Sequence, residues 1–166
     1  KITNELISAL LVMIKNISKD EALTQILDAI NNGKAAEKFE HMVAALGGPK
    51  DILTSFNNKL LKAPYKEDIF CLKKGIVKSI NTRKLGMLII ELGGGRKQIT
   101  DKINFSVGLE KVVDVGSQVD LSTPLLSLHA QTKESVDSIK KQIVECFDIS
   151  TEAEPKLKTI YKTITS

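Results

Sequence analysis

The sequence predicts an α+β protein in two parts, a helical segment followed by a β-rich domain with embedded and terminal helices. Three observations predict it. Apolar residues recur at helical steps through the first third of the 166-residue chain. Beyond Ala63-Pro64 the rhythm changes to short apolar runs of strand length. Seven of the ten glycines, at 75, 86, 93, 94, 95, 108 and 116, fall in that middle third, where they announce tight turns and close backbone approaches. Pro64 restricts the residue before it, so the boundary is placed there, with domains 1–62 and 63–166.

The first helical stretch places Ile2, Leu6, Leu10, Met13 and Ile17 on one helical stripe, widened by Ile7, Leu11 and Ile14. A helix this apolar is expected between other elements, and its covering neighbours are expected upstream. The chain opens on Lys1 and not Met, so its natural start is expected upstream too. Ser18-Lys19-Asp20-Glu21 forms a capping box, with serine accepting from the first turn and Glu21 reaching back. The helix it opens carries Ala22, Leu23, Ile26, Leu27 and Ile30, and Asn31-Asn32-Gly33 stops it. A third helix is predicted over 34–46, ended by Gly47-Gly48. Pro49 suits the first turn of a short fourth, with Asp51 beside its amides. Strands are predicted at Asp68–Leu72, Ile76–Ile80 and Leu125–His129. A helix over 82–92 carries Leu85, Leu88 and Ile89 and ends in Gly93-Gly94-Gly95. A last amphipathic helix runs over 133–147 through Val136, Ile139, Ile143 and Phe147. Thr151–Lys158 reads as a loop, and Ile160, Tyr161 and Ile164 as a short terminal strand.

Charge excludes some functions. The net charge is +4, and residues 63–130 hold only ten basic against seven acidic side chains. A nucleic-acid binder needs a denser basic face, and 4% aromatics without Trp gives no stacking platform. No nucleic acid and no membrane are expected as partners. The stretch Ile2 to Ile17 is broken by Asn4, Glu5, Ser8, Lys15 and Asn16, and no leader with a cleavage site opens the chain. Cys71 and Cys146 are too few for a disulfide framework and lack metal-ligand spacing, which points to a reducing compartment.

Few residues carry chemistry. Gly93-Gly94-Gly95-Arg96 is the most suggestive run: successive glycines can turn amides toward an anion, and arginine can clamp phosphate. A phosphate cradle, however, normally precedes a helix, and these glycines follow one, which favours a mobile cap and turn. His41 and His129 have no Cys, Asp or second His at ligand spacing. Ser127 precedes His129 by two residues without a nucleophile elbow. Cys71 and Cys146 read as small buried hydrophobes. The pairs Asp20-Glu21 and Glu67-Asp68 read as solvated charge at element starts. Spacing and composition alone reveal no active site.

Longer motifs add a resemblance. Asn32-Gly33-Lys34-Ala35-Ala36-Glu37, Met42-Val43-Ala44-Ala45, Gly48-Pro49 and Ala63-Pro64 come in order. Thr82-Arg83-Lys84-Leu85-Gly86-Met87 and Leu92-Gly93-Gly94-Gly95-Arg96 follow, then Asp101-Lys102-Ile103-Asn104-Phe105-Ser106-Val107-Gly108, Val115-Gly116, Pro124-Leu125 and His129-Ala130. Over roughly residues 20–166 the chain resembles the C-terminal part of bacterial thymidine phosphorylases, within the thymidine/pyrimidine-nucleoside phosphorylase family. Asn81 and Asn104 stand where that family usually has aspartate. The resemblance implies that 1–62 is the helical end of a larger α/β domain and 63–166 an α/β-hammerhead-like domain. It implies a parent enzyme, a pentosyltransferase that converts thymidine and phosphate to thymine and 2-deoxyribose 1-phosphate. No cofactor is implied, since phosphate is a co-substrate. The parent is expected to be a cytoplasmic homodimer joined through upstream helices. The main substrate-binding residues are expected upstream as well, leaving this chain inactive alone. Here the segment Gly93 to Val107 is expected to serve as a closure clasp, with Gly93, Gly94, Gly95 and Arg96 as its candidate residues. The alternative is a stand-alone carrier or interaction module, because the β-rich part is also similar to biotinyl and lipoyl domains. Those present a modifiable lysine on a hairpin, whereas Lys97 and Lys102 flank a glycine loop.

Overall fold

A computed structural model describes residues 2–152, 160–162 and 164. They form two compact units, one of residues 2–60 with the described residues of 160–164, the other of residues 61–152.

The first unit is helical: α1 (Ile2–Lys15), α2 (Lys19–Asn31), α3 (Lys34–Ala45) and α4 (Ile52–Lys59). Asn16 adopts a left-handed backbone (φ 54°) and ends α1, which the short amide side chain tolerates. The capping box at α2 forms as expected: Ser18 Oγ accepts from Glu21 N at 3.2 Å, and Glu21 Oε2 accepts from Ser18 N at 2.9 Å. Gly33 (φ 83°) turns the chain into α3. The helices α1 and α2 pack together with Ser8, Ala22 and Ile26 buried, and Lys19 Nζ reaches Glu5 Oε2 at 2.9 Å across the pair. The apolar stripe of α1 is uncovered among the described residues: Ile2, Leu6, Leu10 and Met13 are all exposed, Met13 at 80%.

The second unit runs β1 (Tyr65–Phe70), β2 (Gly75–Ile80), α5 (Thr82–Glu91), β3 (Gly108–Glu110), β4 (Gln118–Val119), β5 (Pro124–Ala130), α6 (Lys133–Val144) and β6 (Phe147–Ser150). Two three-stranded antiparallel sheets result, ordered β1-β5-β3 and β4-β2-β6. The strand β5 is apolar on both faces, with Leu125, Leu126 and Leu128 fully buried, which suits a central strand. Pro124 stands at its first residue, where a missing amide is tolerated. Ile69 of β1, Val77 of β2, Leu88 of α5 and Val136, Ile139 and Ile143 of α6 complete one core.

Three expectations need correcting. The final helix stops at Val144, and Phe147 belongs to β6, paired with Ile80 of β2. Phe147 keeps the four-residue spacing from Ile143, so periodicity alone ran the helix on. The strands β3 and β4, of three and two residues, were not anticipated. Of the expected terminal strand, the described residues Ile160, Tyr161 and Ile164 are irregular, with Tyr161 94% and Ile164 84% exposed. Of the expected loop at 151–158, Thr151 and Glu152 are irregular and the rest lies outside the described residues.

Candidate functional site

Helix α5 positions the glycine segment. Asn81 Oδ1 caps its start by accepting from Lys84 N at 2.9 Å. At its end Gly93 takes the left-handed conformation (φ 90°); its amide donates to Ile90 O at 3.0 Å and that of Gly94 to Ile89 O at 2.9 Å. These are the two bonds of a Schellman cap. The next glycines are required by contact. A β-carbon on Gly94 would lie 2.7 Å from Ile89 Cγ2 and 3.2 Å from Val107 Cγ2, and one on Gly95 would lie 2.6 Å from Ile90 Cγ1. The three glycines fold the chain back onto α5, and the amides of Gly93 and Gly94 are spent on the helix end.

The segment that follows is pinned at both ends. Asn104 N donates to Gly93 O at 2.8 Å. Asn104 Oδ1 accepts from Ser106 N and Oγ, and Gln131 Nε2 donates to Ser106 Oγ at 2.6 Å. Between the pins, Asp101 Oδ2 accepts from the amides of Lys97 and Gln98, both at 2.9 Å. Ile99 at 94% and Phe105 at 80% exposure face water, as does Arg96. Asn81 and Asn104 therefore act as acceptors through their amide oxygens. The tasks a carboxylate would perform there are met without its charge.

The remaining candidates are dispersed. Ser127 is buried and donates to Asp68 across the β1–β5 pair. His129 Nε2 meets Glu110 Oε2 at 3.0 Å, and Lys66 Nζ reaches the same oxygen at 2.7 Å. Lys66 first and His129 second hold the Glu110 carboxyl down at about 2. Glu67 pairs with Lys140 and with Lys133. His41 lies exposed on α3. Cys71 and Cys146 are buried free thiols, and burial pushes the Cys146 thiol up. Asp120 is held at about 2 by Ser122 and Thr123, whose hydroxyls and amides it accepts. It borders an open hollow of about 730 Å³ with Lys74, Gly75 and Gln118, which no motif had marked. Among the described residues no three His, Cys, Asp or Glu side chains could hold a metal, and no helix is long and apolar enough to cross a membrane. The structure brings Ser127 and Asp68 together, but His129 faces Glu110. Lys97 and Lys102 lie in the irregular segment after α5 and not on a hairpin between paired strands, so the carrier reading finds no support.

One comparison with known proteins bears on the second unit. Residues 76–150, from β2 through β6, match the model of the pyrimidine nucleoside phosphorylase C-terminal domain.

Proposed function

We propose, from the premise that residues 76–150 belong to the pyrimidine nucleoside phosphorylase C-terminal domain family, that this chain is the C-terminal portion of a thymidine phosphorylase. The match supports a parent among the transferases of nucleoside metabolism. The reaction is reversible phosphorolysis: phosphate attacks the anomeric carbon, the bond to the base breaks, and the base leaves with the bonding electrons. That chemistry needs an anchored anion and stabilisation of charge on the departing base. On this reading those groups lie in upstream polypeptide, which also carries the homodimer contacts. Phosphate is a co-substrate, no cofactor takes part, and the enzyme works in the cytoplasm. The exposed apolar stripe of α1 supports the reading, because such a surface is normally covered by further polypeptide.

The contribution of this chain is scaffold and clasp. The segment Gly93 to Val107 is rooted on α5 by its glycines and offers Arg96 and Ile99 at its exposed stretch. Closure would lay this stretch at the cleft and exclude water. The test is release of thymine from thymidine and phosphate. The 166-residue chain alone gives none, and the chain extended by its upstream polypeptide is active. In that longer enzyme, Gly94→Ala with Gly95→Ala lowers kcat. Thymine release by the short chain refutes the scaffold role. An extended enzyme that prefers uridine refutes thymidine specificity, and unchanged turnover in the double variant refutes the clasp.

A further inference from the structure

The chain has 24 basic residues, and only Arg83 and Arg96 are arginine. Lysine therefore serves nearly everywhere that a positive charge is enough. The ion pairs of the second unit fit this: Lys66 with Glu110, Lys84 with Glu145, and Lys133 and Lys140 with Glu67 are all made by lysine. Neither arginine has an ion pair or side-chain hydrogen bond among the described residues, and both are exposed. A guanidinium differs from an ammonium in its planar fork of donors, which matches a carboxylate in two parallel bonds.

The two arginines bracket one surface. Arg83 lies in the first turn of α5, and Arg96 follows the glycines that fold back onto the helix end. Helical spacing sets Gly86 and Met87 next to Arg83 and leads on to Ile90, against which Gly95 rests. Among the described residues no contact calls for a glycine at 86. It sits mid-helix, where glycine is unfavourable, and a β-carbon there would meet nothing within 4 Å. Met87 beside it is 56% exposed. The local charge is positive: residues 82–102 hold five basic and two acidic side chains, and one of those acids, Asp101, accepts from backbone amides.

We propose that this face of α5 binds an extended acidic polypeptide segment. Its backbone passes over Gly86 and Met87, and two carboxylates are taken by the forks of Arg83 and Arg96. Arg83 and Ile90, against which Gly95 rests, stand about 10 Å apart along the helix, an extended chain covers about 3.3 Å per residue, and only residues an even number apart share one of its faces. The two carboxylates then stand four residues apart, about 13 Å, the arginine side chains spanning the small excess. This assignment does not depend on the reaction of the parent enzyme.

The test uses the whole 166-residue chain, isotope-labelled, with NMR detection of the arginine Nε–H and α5 amide signals. One hexapeptide carries glutamate at its first and fifth positions, and its control carries both at the first and second. The spaced peptide shifts Arg83, Arg96 and the Gly86 amide together and binds at least threefold more tightly than the control. Arg83→Lys and Arg96→Lys keep the charge, yet each weakens binding about three- to tenfold. Gly86→Ala raises the melting temperature while weakening binding, opposite signs that a purely structural glycine would not give. Equal affinity for the two peptides, or lysine variants that bind as well as the parent, overturns the proposal. So does inorganic phosphate saturating both arginines at a lower concentration than the spaced peptide, which would mark a simple anion site. Absence of any shift at tens of millimolar peptide overturns it as well.

Discussion

Replacing Gly75 by alanine should open the seam between β2 and β6. A β-carbon at this position would stand 2.5 Å from Ser150 O and 2.7 Å from Ile149 Cγ2. The nearer obstacle is backbone, so rotating a side chain cannot relieve it. Ordinary contact begins near 3.4 Å, and β6 must retreat by about 0.9 Å. That shift spoils the Ile76–Ser150 pairing and lifts Ile149, a core residue, off its neighbours. Gly75 has no positive φ, so the penalty is steric and owes nothing to the dihedral preference of alanine. Overpacking of this kind costs about 2 kcal/mol. For a unit this size that lowers the melting temperature by roughly 10 °C. Thermal unfolding by circular dichroism reads the fall, and hydrogen exchange at Val77, Ile149 and Ser150 locates it. A melting temperature within two degrees of the parent, with unchanged exchange along β6, would refute the steric argument.

Ile143 is fully buried in the α6 face of the core, and Ile143→Ala should cost about 2–5 kcal/mol in denaturant unfolding; a loss under 1 kcal/mol would mean that the core closes around the gap. The folded Glu110 carboxyl is depressed from 4.5 to about 2, so its stabilisation is fully present above pH 4.5 and is lost as the pH falls toward 2. The stability gap between the parent and Glu110→Gln should narrow over that window, and a gap independent of pH would refute the Lys66–Glu110–His129 coupling. Cys71 and Cys146 should react with a thiol reagent only when the unit opens, both at once in denaturant, since each is about 3% exposed or less; rapid native labelling of either would contradict their burial.

The parts of the fold that were legible are those decided locally. Ser18 and Glu21 announce α2 because a capping box is completed within four residues. Asn81 and the Gly93-Gly94 cap bound α5 for the same reason. Strand β6 was hidden by the fortunate spacing of Phe147. Its identity depends on β2, and nothing near Phe147 in sequence signals that pairing. The strands β3 and β4 are too short to leave an apolar rhythm and exist through pairing with β5 and β2. The glycine run was legible as a helix end. The close approach of Gly94 and Gly95 to Ile89 and Ile90 arises only when the chain folds back on the helix. The exchange of partners at Glu110, which joins Lys66 from 44 residues away, is likewise invisible in a linear reading.

The placement of β5 governs the order in which this unit can be built. Its neighbours β1 and β3 are both synthesised before it, and neither bonds to the other. Until residue 130 has left the ribosome, both strands wait with open edges, and Ile69 has no wall to lean on. The nascent chain therefore carries a period of exposure that ends only when β5 slots between them. Sheet closure across such distances is slow and prone to wrong pairing. A chaperone that shelters residues 65–110 during this interval should raise the yield of soluble protein more than one that acts after release.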